Sequence, residues 1–288
     1  MRNNPVKTRI AAGGHAYGTM LFEFFTPGVA QMCKAAGAEF VLYDLEHSAL
    51  DYGALREQFA YCRGLGLVPM CRVPATQYDY ISRALDAGAM GIMVPMVETE
   101  EQARFIVQST RYPPVGRRGA AFGVAHDDFE GGGVKDKIKA ANERTMVIAL
   151  IETAKGIENV DKIAAVDGID VCWVGHFDLT NFMGIPAEFD HPRFEQAITD
   201  VGEACRRHGK TAGFMSTDDN WTRRMLGKGF RLFACSLDII LFQNALRAGI
   251  AGMKTLVREQ KRIDAKASRA ARPRAKAKAK AKAKSRRS

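Results

Sequence analysis

Short apolar runs of strand length alternate with segments of helical period along most of the chain. Eight runs are predicted to be strands, at residues 17–24, 40–46, 67–73, 91–97, 146–152, 170–175, 211–216 and 231–238. Helical spacing is found between them, at 27–37, 51–64, 78–87, 99–111, 156–166, 192–208 and 218–227, with a last helix from about 238 to 262. Strands that are apolar on both faces and separated by helices predict parallel βαβ units. Eight units predict a (β/α)8 barrel over residues 1–263, with an open doubly wound sheet as the alternative.

One connection departs from this regular alternation. Residues 112–145 are too long and too glycine-rich for a routine turn. Long connections in compact domains are usually functional lids or disordered inserts. We expect a partly ordered loop over the mouth of the barrel.

Composition narrows the class of protein. The 288 residues are 47% hydrophobic, enough for a large core, yet no apolar stretch approaches the roughly 18 residues that a membrane span needs. The first residues lack an apolar signal core, and the six cysteines have no C-x-x-C spacing. These features predict a cytoplasmic protein with reduced cysteines.

The net charge of +10 is concentrated at one end of the chain. Residues 266–288 hold eleven Lys or Arg and no acid, which leaves the first 265 residues with 31 basic and 32 acidic side chains. A segment of this composition cannot bury apolar area, so residues 264–288 are predicted to be a disordered basic tail. The tail could bind a polyanion such as nucleic acid, or it could be a solvated appendage of little consequence.

Ionisable residues follow several of the predicted strands. In a parallel barrel the carboxyl ends of all strands meet at one mouth, where residues distant in sequence converge. The candidates are Asp44, Glu46, His47, Arg72, Glu152 and Asp178. No glycine-rich phosphate-binding signature and no Ser/His/Asp signature accompanies them.

Glu152 and Asp178 each follow an almost wholly apolar strand, and the two strands are neighbours in the barrel order. Two carboxylates on adjacent strand ends suit a hard divalent cation such as Mg²⁺ or Mn²⁺. The alternative is that each caps the following helix, which fits Asp178 better than Glu152.

The remaining candidates suggest acid–base chemistry. His47 near Asp44 is an imidazole that a carboxylate can orient, the usual arrangement of a general base. Arg72 can hold a carboxylate bidentately, or it can form a buried ion pair with one of the nearby acids. His176 lies within reach of a metal site at Asp178, whereas His126 lies in the long loop.

Several motifs together resemble one known family. They are FVLYDLEHSALD, VPMCRVP, ALDAGAMGIMVPMVETEEQA, RYPPVGRRG, IALIETAKGIENVDKIAAVDGID and WVGHFDLTNFMG. As a combination they are similar to the HpcH/HpaI aldolases, over about residues 15–250. That resemblance implies a metal-dependent class II pyruvate aldolase, acting on a 4-hydroxy-2-oxo acid or a 2-keto-3-deoxy sugar acid, with a (β/α)8 barrel.

The resemblance also implies roles for individual residues. Glu152 and Asp178 would bind Mg²⁺, Mn²⁺ or Co²⁺, and Arg72 would contact the keto oxygen of pyruvate. His47, supported by Asp44, would be the base for the hydroxyl proton, with Asp86 nearby. The pyruvate carboxylate would be bound by backbone amides around Phe177 and Asp178. Members lend a terminal helix to a neighbouring subunit, so a homo-oligomer, a hexamer built as a trimer of dimers, is expected.

Two positions depart from the pattern of many relatives. Leu150 stands where many have Gln, and Gly175-His176-Phe177 stands where many have Gly-Pro or Gly-x-Asn/Ala before the Asp. These changes bear on the substrate-binding residues Gly175, His176 and Phe177 more than on the metal site. An oxaloacetate decarboxylase on the same site is the alternative enzyme, and polyanion binding through the tail is the alternative of another class.

Overall fold

The chain folds into a closed barrel of eight parallel strands in sequence order, β1 to β8. We describe a computed structural model, in which the backbone is described for residues 1–284 and the side chains for residues 1–269. The strands are β1 Ala16–Leu21, β2 Phe40–Asp44, β3 Val68–Arg72, β4 Gly91–Val94, β5 Met146–Ile151, β6 Val171–Val174, β7 Thr211–Ser216 and β8 Phe230–Leu237. All eight predicted strands are confirmed, and closure of the barrel excludes the open sheet.

Helices follow or precede every strand. They are α1 Pro5–Ala11, α2 Val29–Ala35, α3 Tyr52–Cys62, α4 Tyr78–Ala87, α5 Glu100–Thr110, α6 Val134–Arg144, α7 Ala154–Glu158, α8 Val160–Ala165, α9 His176–Phe182, α10 Pro192–Arg207, α11 Asp219–Leu226 and α12 Asp238–Lys284, with a 3-10 turn at Ala125–Asp127. No helix within the described part of the chain is both long enough and apolar enough to cross a membrane.

The apolar side chains form two layers of core. One lies between the strands and the helices, and the other fills the barrel interior with residues such as Met93, Ile148, Leu150 and Trp173. Leu150 is therefore a packed interior residue. Because strands β2 to β6 are buried on both faces, their apolar runs are continuous rather than alternating.

The long connection is not a lid over the mouth, and our expectation was wrong. It follows α5 and precedes β5, so it lies at the amino ends of the strands, opposite the mouth. Asp128 in the connection pairs with Arg2 at 3.1 Å, and Lys137 pairs with the fully buried Asp127 at 2.7 Å. His126 is 1% exposed there, so it is a packed residue rather than a solvated or substrate-facing one.

The chain divides into two compact units, Met1–Ile239 and the segment from Ile240 onward. The first contains all eight strands. The second belongs to α12, whose backbone is helical to Lys284, across most of the segment predicted to be a disordered tail. Ala, Lys and Arg are strong helix formers, so a segment without an apolar face can still be helical. Residues 285–288 lie outside the described part.

Candidate active site

The carboxyl ends of β2 and β3 carry a buried ion-pair network. Asp44 and Arg72 are register partners on adjacent strands, which brings their side chains together. The Arg72 Nε donates to Asp44 Oδ2, and Arg72 Nη1 lies 3.1 Å from Glu46 Oε2. Arg72 is 7% exposed, and its guanidinium lies 5.4 Å from the centre of the Phe22 ring. Two acids and an aromatic face therefore fix the orientation of this arginine.

His47 contacts this network, although Asp44 does not hold its imidazole as we predicted. Asp44 Oδ1 accepts the backbone N–H of His47, and so fixes the loop rather than the ring. The ring Nε2 instead lies 3.8 Å from Glu46 Oε2. The His47 side chain is 56% exposed, which leaves it accessible from solvent. Glu46 thus lies between Arg72 and His47, and its pairing with Arg72 is the buried ion pair that the sequence left open as an alternative.

Glu152 lies at the end of β5, beside the end of β6. Ile151 and Val174 are register partners, so the next residues, Glu152 and Gly175, lie side by side. A Cβ built on Gly175 would lie 2.5 Å from Glu152 Oε2, which means that only glycine leaves room for the carboxylate. Its other oxygen, Oε1, accepts the N–H of Met96 at 2.8 Å. Met96 has a φ of 56°, a left-handed conformation that is uncommon outside glycine.

Negative charge is concentrated around Glu152. The pKa of Glu152 is raised to about 8, mainly by burial and also by the nearby acids Glu46 and Asp178, while the Met96 N–H and Arg72 act in the opposite direction. Burial also raises the pKa of Glu46, against the effect of Arg72. The three carboxyl groups of Glu46, Glu152 and Asp178 are thus balanced by a single arginine in this part of the mouth.

These acids fit a divalent cation at Glu152 and Asp178. Carboxylate oxygens are hard ligands, and a bound cation would offset the unfavourable burial of charge on Glu152. Within the described residues no group of three or more His, Cys, Asp or Glu is arranged to hold a metal ion. Two protein ligands are compatible with a site whose other positions are filled by substrate and water.

His176 is in a different environment from the one we expected. It is 4% exposed, and aromatic rings surround it on α9, before α10, on β7 and on α11, those of Phe177, Phe189, Phe214 and Trp221. Burial lowers its pKa to about 4, so the imidazole is neutral near pH 7. The structure thus places His176 against aromatic rings and not among the carboxylates.

Asp86 is not brought to the mouth by the fold of this chain. It lies in the last turn of α4, whose carboxyl end returns to the opposite end of the barrel. There its Oδ1 accepts a hydrogen bond from Arg118 at 2.6 Å. A place for Asp86 near His47 stays a prediction from resemblance.

The structure adds one strand-end acid that the sequence analysis passed over. Asp238 follows β8 directly and is 5% exposed. Its carboxylate accepts the N–H groups of Phe22, Glu23 and Phe24 at 2.8–3.1 Å, which ends β1 at Leu21 and holds Phe22 beside Arg72. The rule that identified Glu152, an acid after an apolar strand, would also have found it.

Comparison with known proteins agrees with this geometry. The model of the family described as HpcH/HpaI aldolase/citrate lyase matches residues 19–245. This chain belongs to that family. A hydroxypyruvate/pyruvate aldolase of Cupriavidus necator is 33% identical over 85% of this chain and 90% of its own length. A 2-keto-3-deoxy-L-rhamnonate aldolase of Klebsiella pneumoniae is 32% identical over 88% and 94%.

A solved structure supports the same assignment to the family. The HpcH/HpaI aldolase of Desulfitobacterium hafniense superposes with a TM-score of 0.83 at 28% identity, covering 86% of this chain and 96% of that one. The similarity therefore covers most of both molecules.

Proposed function

We propose that this protein is a class II pyruvate aldolase, which reversibly cleaves a 4-hydroxy-2-oxo acid into pyruvate and an aldehyde. The main supporting observation concerns the mouth of this HpcH/HpaI-family barrel. A buried arginine, an accessible histidine and two carboxylates of the kind that bind cations lie together there. The relatives named as aldolases favour carbon–carbon cleavage over decarboxylation.

Glu152 and Asp178 are the residues that would hold Mg²⁺, Mn²⁺ or Co²⁺. When bound, the cation supplies Lewis-acid stabilisation of negative charge on the keto oxygen of pyruvate. Glu152 is fixed for this by the Met96 N–H on one oxygen and by the space that Gly175 leaves beside the other.

Arg72 supplies the second stabilising charge at the keto oxygen. Its Nε and Nη1 are engaged by Asp44 and Glu46, so its third nitrogen, Nη2, is the donor left for substrate. A preoriented donor needs no reorganisation as charge develops, and the loss of one such donor typically costs about 10²–10³ in kcat.

His47 takes the proton of the substrate C4 hydroxyl. The C3–C4 bond then breaks, its electron pair moves toward the keto group, and the products are an aldehyde and the enolate of pyruvate. The same proton can return to C3 to give the methyl group of pyruvate. Asp44 positions the backbone of His47, and Glu46 faces its imidazole.

We assign the pyruvate carboxylate to the start of α9. The N–H groups of Phe177 and Asp178 lie in the first turn of this helix, where a helix has no internal acceptor for them. Gly175 precedes this turn and brings the backbone close to Glu152.

We also propose a homo-oligomer, a hexamer built from dimers, and a cytoplasmic location. Exposed apolar residues on α12, including Leu246, Ile250, Met253 and Val257, recur at helical spacing and support the packing of this helix on another subunit. The six cysteines are free, which agrees with a reducing compartment. Light scattering after gel filtration measures the subunit number directly.

A cleavage assay tests the proposed function. The full chain is incubated with a panel of 4-hydroxy-2-oxo acids and with Mg²⁺, Mn²⁺, Co²⁺ or chelator, and released pyruvate is measured. We expect cation-dependent release that Glu152→Ala abolishes and that Glu203→Ala, a change at an exposed glutamate on α10, leaves intact. Cation-dependent loss of CO₂ from oxaloacetate without cleavage of any hydroxy acid would instead identify a decarboxylase.

A further inference from the structure

Five aromatic rings form a continuous cluster beside the proposed cation site. We call this cluster the aromatic shelf; it consists of Phe177, Phe189 and Trp221 over His176 and Phe214. The His176 ring centre lies 4.6 Å from that of Phe177 and 4.8 Å from that of Phe214. Phe189 contacts both Phe177 and Trp221 edge to face at 5.3 Å. These separations are within the range in which aromatic pairs attract.

The exposed fraction of the side chain differs among the residues of the shelf. Phe214 and His176 are buried, and Phe189 and Trp221 are half-buried. Phe177 is 54% exposed, although its ring is held from behind by His176 and Phe189. The shelf thus presents one rigid aromatic surface to its surroundings.

Two residues of the shelf lie just after strands at the same end of the barrel as the proposed reacting groups. Phe177 directly precedes Asp178 in the first turn of α9, just after β6, and Trp221 lies in the first turn of α11, just after β7. The charged residues Asp44, Glu46 and Arg72 lie instead at the ends of β2 and β3. Charged residues therefore follow β2 and β3, whereas aromatic residues follow β6 and β7, with Phe177 directly beside Asp178 in the chain.

We propose that the aromatic shelf binds the substituent of the aldehyde, and that this substituent is an aromatic ring or another flat apolar group. The inference rests on the proposed function, because it assumes that pyruvate lies against Glu152, Asp178 and Arg72. A polyhydroxylated chain on this surface would lose hydrogen bonds to water without replacement, since phenylalanine rings offer none. A ring would gain apolar contact and edge-to-face pairing with Phe177.

There is space for such a group. An open cleft of about 480 Å³ borders two of the shelf rings, Phe189 and Trp221, and is otherwise lined by polar and charged residues, Asp190, Glu195, Asp218, Asn220 and Arg224. The Arg224 guanidinium lies 4.9 Å from the centre of the Trp221 ring and helps to fix it. A benzene ring is much smaller than this cleft, so the side of the shelf formed by Phe189 and Trp221 is open to a ring.

The test compares two classes of aldehyde with one donor. The rates of aldol addition of pyruvate to benzaldehyde and to glyceraldehyde are measured for the full chain with Mn²⁺, and their kcat/KM ratio is formed. We expect wild type to prefer benzaldehyde, and Phe177→Ala to lower the ratio about tenfold, as loss of about 1.4 kcal/mol of ring contact would do. Phe177→Leu, which keeps apolar bulk, should fall between the two.

Phe182→Ala is the matched control, because Phe182 is an equally exposed phenylalanine at the other end of α9. It should leave the ratio unchanged. Each rate is normalised to the same variant's rate of exchange of pyruvate methyl protons, which separates activation of pyruvate from addition to the aldehyde. Absence of this exchange in the wild type would overturn the proposed function. Normal exchange with preference for glyceraldehyde, or with a ratio insensitive to Phe177, would overturn the shelf proposal alone. A change of oligomeric state in Phe177→Ala with an unchanged ratio would show that a second subunit occupies the shelf.

Discussion

Replacing Glu152 with glutamine should stabilise the cation-free protein at high pH. Burial moves the pKa of Glu152 from 4.5 to about 8, so the folded state holds a proton that the unfolded state has already released. The free energy of unfolding of the wild type therefore decreases as pH rises from about 4.5 through 8. Each tenfold change in acidity corresponds to about 1.4 kcal/mol, which sets an upper limit of about 5 kcal/mol for the cost of the ionised side chain. Local relaxation and water entry reduce this cost, and we expect about 2–4 kcal/mol.

Urea denaturation with chelator at pH 5 and pH 9 measures the effect. Glutamine can retain the hydrogen bond from the Met96 N–H, so the two proteins should have similar midpoints at pH 5 and Glu152→Gln should be more resistant at pH 9. With saturating Mn²⁺ at pH 9 the advantage should vanish or reverse, because only the wild-type carboxylate can bind the cation. A stability difference that does not depend on pH would refute the electrostatic account of this site.

Three further substitutions follow from the geometry. Gly175→Ala places a Cβ 2.5 Å from Glu152 Oε2 and should weaken Mn²⁺ binding at least tenfold, measured by titration calorimetry; unchanged affinity would mean that Glu152 is not a ligand. Arg72→Lys cannot hold Asp44 and Glu46 together and should lower kcat/KM for cleavage about 10²-fold, whereas a change of less than about threefold would argue against a role for the guanidinium fork. His47→Gln should lower aldol cleavage by about 10²–10⁴ while oxaloacetate decarboxylation persists, because only cleavage removes a hydroxyl proton; equal loss of both would contradict that assignment.

The barrel could be predicted because each of its strands is apolar on both faces and is separated from the next by a helix. Parallel topology then follows, and with it the rule that strand ends converge. The position of Glu152 at the mouth was predicted in this way, whereas its hydrogen bond from the Met96 N–H depends on the register of β4 and β5. The same rule would have identified Asp238.

Other features depend on geometry that the sequence does not display. A buried ion pair of Arg72 with a nearby acid was one of the alternatives left open by the sequence, and the register of β2 and β3 decides that both Asp44 and Glu46 take part. The aromatic shelf joins residues from 176 to 221 on α9, β7, α11 and the loop before α10, so it exists only in the folded chain. The position of residues 112–145 could have been predicted, because a segment that follows α5 must lie at the amino ends of the strands.

Exchange of the methyl protons of pyruvate with D₂O, followed by NMR, tests the central claim most directly. It requires no aldehyde, and so it isolates activation of pyruvate by Glu152, Asp178 and Arg72. We predict exchange that depends on Mg²⁺, Mn²⁺ or Co²⁺, stops with chelator, and is lost in Glu152→Ala but not in Glu203→Ala. Absence of exchange with all three cations, or exchange that persists in Glu152→Ala, would contradict a pyruvate aldolase at this site.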